Sequence, residues 1–206
     1  MNNDPNRAVT ARTVLSSRRN AMIGGLAAAA CWFTGAVGAP LPPSFSSGRH
    51  QFTAISPQRM LPSALIFSLA GGSVDLAAFI GCPLLLNFWA AWCAACKSEL
   101  PALDILSERA GHGGAEVIAV SVDRGSRDQV GRFIQSLAIR KLPIYLDPNG
   151  YVAHPDPERT GAPFALYGMP IIYLIARSGR IIGYMPGAAD WTSPEADALI
   201  SFLHNT

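Results

Sequence analysis

Two cysteines separated by two residues, Cys93 and Cys96, are the side chains of this sequence best suited to chemistry. An apolar run of strand character, Leu84 to Trp89, precedes them, and the residues from Cys93 to Ala110 have the pattern of a helix. Cysteines three apart on a first helical turn share one face and can form a disulfide. The sequence therefore predicts a redox-active pair, with two purely structural cysteines as the alternative.

The start of a helix gives the two sulfurs different roles. Its unpaired backbone N–H groups stabilise a thiolate, which lowers the pKa of the Cys93 thiol below the free value of about 8.5. We therefore expect Cys93 to attack a substrate disulfide and Cys96, one turn deeper, to resolve the mixed disulfide. The sequence has no second closely spaced cysteine pair that could complete a zinc site.

Alternating strands and helices, typical of a parallel sheet covered on both faces, are expected to position this pair. The patterns predict strands at 65–69, 84–89, 117–122 and 144–146, helices at 93–110 and 127–137, a hairpin formed by 171–175 and 180–185, and a last helix at 194–203. They also predict one or two helical turns at 74–80 and, at 154–163, a proline-rich loop that is irregular, mobile and exposed.

The segment 86–101, which reads LNFWAAWCAACKSELP, resembles the active-site signature of thioredoxin-fold thiol:disulfide oxidoreductases. Within that superfamily it is similar to the TlpA-like branch, which is related to the periplasmic cytochrome c maturation reductases. The similarity extends from about Leu61 to the C-terminus. It implies an α/β thioredoxin fold, in which a central mixed β-sheet is flanked by helices on both faces.

By the same resemblance, Pro170, which follows Met169, is a cis-proline facing the cysteine pair. A Gly-X-Pro directly before an apolar strand also suits a tight turn, and a trans proline at the strand start is the alternative. The remaining active-site environment comprises Trp92, Ala94 and Ala95. Two positions depart from the family pattern: Ala95 stands where proline is common, and Ile171 where threonine is often found. The redox potential and the choice of partner are therefore not carried over from relatives.

Glu99 lies three residues after Cys96, where the TlpA-like branch places a carboxylate. Asn87 stands where thioredoxin itself has a buried acid, so that proton acceptor is absent. Because positions 96 and 99 are neighbours on a helix, we expect Glu99 to take the proton that Cys96 loses before it attacks. A solvated helix carboxylate is the alternative.

Residues 1–38 have the layout of an export signal, with four arginines and one aspartate followed by an uncharged run rich in Ala and Gly. The pair Arg18 and Arg19 resembles a twin-arginine signal, although an ordinary positively charged leader would explain the same residues. Cys31 is a weaker candidate for a lipoprotein cleavage site. Cleavage before Ala39 and retention as a membrane anchor both stay open. We expect residues 39–62, rich in Pro, Ser and Gly, to be a tether and residues 63–206 to be the folded domain.

Most of the positive charge belongs to the leader, since the rest of the chain carries 12 Lys and Arg against 13 Asp and Glu. The folded part therefore lacks the excess of positive charge that would favour nucleic-acid binding through a basic face. The histidines are not spaced as a ligand set, and we predict neither a cofactor nor a resident metal. Cys82 is expected to be a small apolar filler, with an accessible stray thiol as the alternative, and Trp191 and Asp190 are expected to serve core packing.

These features favour a monomeric periplasmic or membrane-tethered reductase of disulfides in exported proteins. The resemblance suggests clients in respiratory metalloprotein or cytochrome c assembly, and an oxidising compartment requires an inner-membrane thiol donor to resupply electrons. Two rivals share the fold. A peroxiredoxin would carry Thr or Ser three residues before its reactive cysteine, where this chain has Ala90. A copper-binding assembly chaperone would use both cysteines and a distal histidine, for which His154 is the loop candidate.

Overall fold

The computed structural model describes residues 40–110 and 114–206. The predicted leader at 1–38, with its twin-arginine and Cys31 readings, lies outside the described residues. The strands are β1 Ser46–Ser47, β2 His50–Gln51, β3 Thr53–Met60, β4 Leu65–Ser68, β5 Ser73–Asp75, β6 Leu84–Trp89, β7 Glu116–Ser121, β8 Ile144–Leu146, β9 Ala153–His154, β10 Phe164–Ala165, β11 Ile171–Ile175 and β12 Arg180–Pro186. The helices are α1 Ala94–Ala110, α2 Arg127–Ser136, α3 Pro157–Thr160 and α4 Pro194–His204, with a 3-10 helix at Leu76–Phe79.

Eight strands form one mixed sheet in the order β3-β12-β11-β6-β7-β8-β4-β5. The strands β6, β7 and β8 are parallel neighbours joined by α1 and α2, whereas β11 runs antiparallel to β6. Both crossovers step in the same direction, so right-handed connections place α1 and α2 on the same face. This is the mixed α/β sheet predicted for a thioredoxin fold.

A hydrophobic core covers each face of the sheet. On one face Leu103 of α1, Ile134 of α2 and Leu199 of α4 pack against side chains such as Leu85 and Leu174. The opposite core contains Leu76 of the 3-10 helix together with Val152 and Phe164, which flank α3. Helices therefore flank both faces, and the three long ones lie on the face that carries the cysteines.

Residues 40–62, the described part of the segment expected to be a tether, contribute structure instead. Its strand β3 pairs with β12 and forms an edge of the large sheet, and Phe45 and Phe52 are buried in the core. Gly183 permits this pairing, because a Cβ at this position would overlap the Thr53 carbonyl oxygen. Most side chains of β3 are exposed, so the strand is held mainly by backbone pairing. Its sequence therefore lacks the alternation of apolar and polar residues from which a strand is usually predicted.

Three other local predictions differ from the structure. The loop at 154–163 contains a helical turn, α3, because the Asp156 side chain caps its start and Gly161 ends it in the left-handed conformation at φ 74°. Of the one or two helical turns expected at 74–80, one is present as the 3-10 helix, and strand β5 occupies the residues before it. Cys82 is an exposed free thiol, so the apolar filler is wrong and the alternative of an accessible thiol is confirmed.

No helix within residues 40–110 and 114–206 is both long and apolar enough to cross a membrane.

Candidate active site

The two cysteines lie where the central strand β6 turns into α1. Every residue of β6 is buried, and Cys93 directly precedes the helix whose first turn holds Cys96. The two residues form a disulfide across a Cα–Cα distance of 5.3 Å. The loop before them is fixed by Asp123, whose carboxylate accepts a hydrogen bond of 2.8 Å from the backbone N–H of Ala91. The strand-to-helix context predicted from the sequence is thus observed.

The two sulfurs differ in exposure and in hydrogen bonding. Cys93 keeps 7% of its surface exposed, whereas Cys96 is fully buried. The backbone N–H of Cys96 donates to the Cys93 sulfur at 3.1 Å. In the reduced protein such a donor would stabilise a Cys93 thiolate, as would the N-terminus of α1. This arrangement suits Cys93 to attack and Cys96 to resolve.

Pro170 lies beside the cysteine loop because of the sheet register. Strands β11 and β6 are antiparallel with Ile171 opposite Phe88, so the start of β11 adjoins the end of β6. The peptide bond between Met169 and Pro170 is cis, as the resemblance implies. Backbone pairing continues beyond the strand, since the Pro170 carbonyl accepts a hydrogen bond from Gly187 at 2.7 Å.

Glu99 is a buried carboxyl group, so the alternative of a solvated helix carboxylate is wrong. Only 3% of the residue is exposed, although it lies on α1 one turn after Cys96. Its Oε1 accepts hydrogen bonds of 3.0 Å from the Trp191 indole N–H and from the Ala189 backbone N–H. Burial raises the pKa of Glu99 from 4.5 to about 7, although both hydrogen bonds favour the ionised form. A carboxyl group that titrates near neutral pH can both accept and return a proton.

Asn87 contacts the second oxygen of the same carboxylate. Its side-chain N–H group lies 3.4 Å from Glu99 Oε2, while its own Oδ1 is buried without a hydrogen-bond partner among the described residues. A protonated Glu99 could donate to that oxygen if the amide turned over. Asn87 therefore suits either protonation state of Glu99.

Trp191 is a site residue that the sequence analysis assigned to core packing alone. It is fully buried, and its ring packs on Phe45 with centroids 5.3 Å apart. Ser47 holds the same loop by accepting a hydrogen bond of 3.0 Å from the Asp190 N–H. Phe45 and Ser47 thus help to hold the Trp191 indole N–H against Glu99. The sequence contained one indication of this role, because the indole N–H of a buried tryptophan needs a hydrogen-bond acceptor.

We predict that Trp191→Phe raises the pKa of Glu99 further above 7. Phenylalanine keeps most of the buried ring but removes a donor that favours the carboxylate, and one hydrogen bond to a charged group corresponds to a shift of about one pH unit. Infrared or carbon-13 NMR titration of the Glu99 carboxyl measures the shift. Trp89→Phe is the matched control, because the indole N–H of this buried residue has no partner among the described residues. An unchanged Glu99 titration in Trp191→Phe would contradict the assigned hydrogen bond.

A cavity of about 780 Å³ opens beside the disulfide. Trp92 and Met169, the neighbours of Cys93 and Pro170, form part of its wall, and Arg124, His154 and Tyr167 lie further along it. Trp92 is 72% exposed, so its ring forms a rim at the reactive sulfur. A partner segment that brings a sulfur to Cys93 can place its neighbouring side chains in this cavity.

Residues 57–181 match the family model described as the AhpC/TSA family. The chain belongs to the AhpC/TSA family. Among its curated relatives, the thiol-disulfide oxidoreductase ResA of Bacillus thuringiensis subsp. konkukian is 26% identical over 61% of this chain and 67% of its own length. ResA of Oceanobacillus iheyensis is 34% identical over 56% of this chain and 55% of its own length. The thiol:disulfide interchange protein DsbE of Vibrio cholerae is 31% identical over 54% of this chain and 53% of its own length.

Solved structures confirm the fold of this AhpC/TSA family member. A putative thiol:disulfide interchange protein DsbE from Chlorobium tepidum matches with a TM-score of 0.59 and 22% identity, over 73% of this chain and all of that one. Like these relatives, the protein is a thiol-disulfide oxidoreductase of the ResA/DsbE type.

The copper-chaperone alternative required His154 to join the cysteines. His154 lines the cavity, but its Nδ1 accepts a hydrogen bond of 3.0 Å from the Asp156 backbone N–H. No three His, Cys, Asp or Glu side chains within 40–110 and 114–206 are grouped so that they could hold a metal ion. The described arrangement therefore offers no specific observation in favour of that alternative.

Proposed function

We propose that this protein reduces disulfide bonds in exported client proteins, using Cys93 and Cys96 as its dithiol. The observation that carries the proposal is the disulfide at the start of α1 with a buried Glu99 one turn further on. The ResA and DsbE names of the relatives support the same class of reaction. Ala90, at the position where a peroxiredoxin has Thr or Ser, supports a dithiol route over a peroxidase.

The reaction takes two steps that together transfer two electrons. The Cys93 thiolate attacks one sulfur of the client disulfide, forming a mixed disulfide and releasing the other client sulfur as a thiolate. Glu99 then accepts the proton of Cys96, and the Cys96 thiolate attacks the Cys93 sulfur. This forms the Cys93–Cys96 disulfide and frees the second client sulfur. The client gains two electrons and the protein becomes oxidised.

Several residues around the dithiol have supporting roles in this proposal. Pro170 and Met169 present backbone next to the reactive sulfur, and Trp92 forms the rim on which the client rests. Ala94 and Ala95 place neither a charge nor a side-chain donor between the cysteines. The helix terminus and local backbone therefore carry the stabilisation of the Cys93 thiolate.

The compartment and the partners belong to the same proposal. Residues 1–38 direct export, so that the domain works in the periplasm, either free or held at the inner membrane by that segment. Clients are proteins of respiratory metalloprotein or cytochrome c assembly, which need their cysteines reduced before metal or haem is attached. An inner-membrane thiol protein returns two electrons to the Cys93–Cys96 disulfide after each turnover.

The direction of the reaction is tested by the reduction potential of the pair. Strong oxidants stabilise their reactive thiolate heavily, and the two alanines between these cysteines add nothing of that kind. We expect a midpoint nearer to about −270 mV, the thioredoxin value, than to about −120 mV, the value of a strong oxidant. Equilibration with glutathione buffers, followed by thiol alkylation, measures it. A midpoint above about −180 mV would instead indicate an oxidase or isomerase.

A further inference from the structure

Residues 45–52 fold into a short hairpin, which we call the N-terminal hairpin. Its strands β1 and β2 pair antiparallel, and the Phe52 backbone N–H closes it by donating to the Phe45 carbonyl at 2.8 Å. Both phenylalanines are buried, whereas Gly48 and Arg49 at the turn are exposed. The hairpin is therefore anchored to the domain by the two residues at its ends.

The loop that follows β12, residues 187–191, donates hydrogen bonds to the active site at two points. Its first residue, a glycine, donates its backbone N–H to the Pro170 carbonyl at 2.7 Å. The Ala189 backbone N–H and the Trp191 indole N–H both donate to Glu99 Oε1, each at 3.0 Å. A single loop thus contacts both the cis-proline and the proposed proton acceptor.

The N-terminal hairpin contacts this loop at three places. The Phe45 ring packs on the indole of the loop with centroids 5.3 Å apart. The Ser47 hydroxyl accepts a hydrogen bond of 3.0 Å from the Asp190 backbone N–H. The His50 ring lies so close to Gly187 that a Cβ at that position would overlap it. The hairpin therefore restrains the loop from its first residue to its last.

The groups in contact with Glu99 are uncharged, so its ionisation depends mainly on how well the site excludes water. These groups are the Asn87 side chain of β6 and the two donors of the loop, and no charged side chain in the described part of the chain contributes to the raised pKa of Glu99. Cys96, one turn earlier, is held in the disulfide and does not titrate in the oxidised protein. Burial is the largest cause of the raised pKa and outweighs both hydrogen bonds, so a loosened loop that admitted water would lower it.

We propose that the N-terminal hairpin is a positioning element for the resolving step. By restraining residues 187–191, it keeps their donors on Glu99 and keeps water away from the carboxyl. This inference rests on the proposed function, because it assigns the hairpin to the step in which Cys96 loses its proton. The attack by Cys93 does not use Glu99 and should not depend on the hairpin.

Phe45→Ala removes the ring that covers the indole and tests this role. We expect the pKa of Glu99 to fall by about one pH unit, a shift opposite in sign to that of Trp191→Phe. The decay of the mixed disulfide with glutathione should slow about fivefold at pH 8, because a weaker base accepts the Cys96 proton less readily. Infrared titration of the oxidised protein measures the pKa, and quenched flow measures the decay. The rate at which Cys93 attacks glutathione disulfide should stay at the wild-type value.

Phe52→Ala is the matched control, because it removes an equally large buried ring from the same hairpin, one that lies against Gly183 instead. It should leave both the Glu99 titration and the decay unchanged. Ser47→Ala should lower the pKa by a smaller amount than Phe45→Ala, and Ser47→Thr, which keeps the hydroxyl, should restore it. The serine variants decide the question if Phe45→Ala does not fold.

A wild-type Glu99 titration in Ser47→Ala and in folded Phe45→Ala would overturn the inference. Equal shifts in Phe45→Ala and Phe52→Ala would also overturn it, because they would indicate general loosening of the domain. A shifted pKa with unchanged decay would remove the hairpin from the resolving step. Failure of the wild-type protein to reduce glutathione disulfide would instead reject the proposed function, and the titration, which needs no client, would still show whether the hairpin holds the carboxyl.

Discussion

Cys93→Ser is expected to lose disulfide reduction by more than about 1,000-fold, to the level of the uncatalysed reaction. A serine hydroxyl is not ionised at neutral pH and cannot form the mixed disulfide that begins the exchange. The substitution is small in volume, and the residue sits at the end of a loop rather than within α1, so the fold should persist. Single-turnover reduction of glutathione disulfide measures the loss, and circular dichroism checks the fold.

Two other serine variants are the controls for this result. Cys96→Ser should still attack but stall, and it should accumulate a mixed disulfide through Cys93 that can be identified on a non-reducing gel. Expressed in its native cell, the same variant should hold client proteins covalently and so identify them. Cys82→Ser should react at the wild-type rate, because this exposed thiol lies before β6 while the pair follows that strand. Stoichiometric reduction by Cys93→Ser would remove Cys93 from the role of nucleophile.

The cysteine pair and its setting could be predicted because the information is local in the chain. A buried strand, a loop of four residues and a helix start occupy one contiguous segment, 84–96. Hydrophobic runs and helix termini are read from neighbouring residues, so their order gave the alternation of strands and helices as well. Sheet register then brings Pro170 to the pair, which the resemblance could anticipate and periodicity could not.

The surroundings of Glu99 could not be predicted in the same way, because they depend on contacts between distant segments. Trp191 is 92 positions from Glu99, and the Phe45 ring that packs on the indole lies in a segment that looked like a tether. Composition indicated flexibility there, whereas two buried phenylalanines and backbone pairing with β12 fix the segment in place. Whether Glu99 was solvated or buried therefore depended on a tertiary contact that no single stretch of sequence contains.

The same distant contacts connect stability with chemistry at Glu99. The desolvation that raises the pKa of this carboxyl also makes its ionised form costly in the folded state. The folded pKa lies above the unfolded one, so the group's contribution to stability is complete below about pH 4.5 and is lost as the pH rises through about 7. A shift of this size corresponds to about 3 kcal/mol in the free energy of unfolding. The oxidised protein thus gives up stability at neutral pH for a carboxylate next to its resolving cysteine.

Glu99→Gln is therefore expected to slow the resolving step by about 100-fold while leaving the attack by Cys93 nearly unchanged. The amide keeps an oxygen for the Trp191 and Ala189 donors, and its N–H group can donate to the Asn87 oxygen once the Asn87 amide turns over, so the variant should fold. Quenched-flow trapping of the mixed disulfide measures its decay. The wild-type decay rate should rise with pH through about 7, and the variant should lack that rise.

Stability gives this last prediction a second and independent readout. Urea unfolding of the oxidised proteins at pH 5 and pH 8 should show the wild type losing up to about 3 kcal/mol relative to Glu99→Gln, because only the wild type ionises a buried carboxyl in that interval. If the stability difference appears but the mixed disulfide decays equally fast in both proteins, Glu99 is buried as described and Cys96 loses its proton elsewhere. If neither effect appears, the carboxyl does not titrate in the buried environment formed by Trp191 and Asn87, and the proton-transfer role and its structural basis both fail.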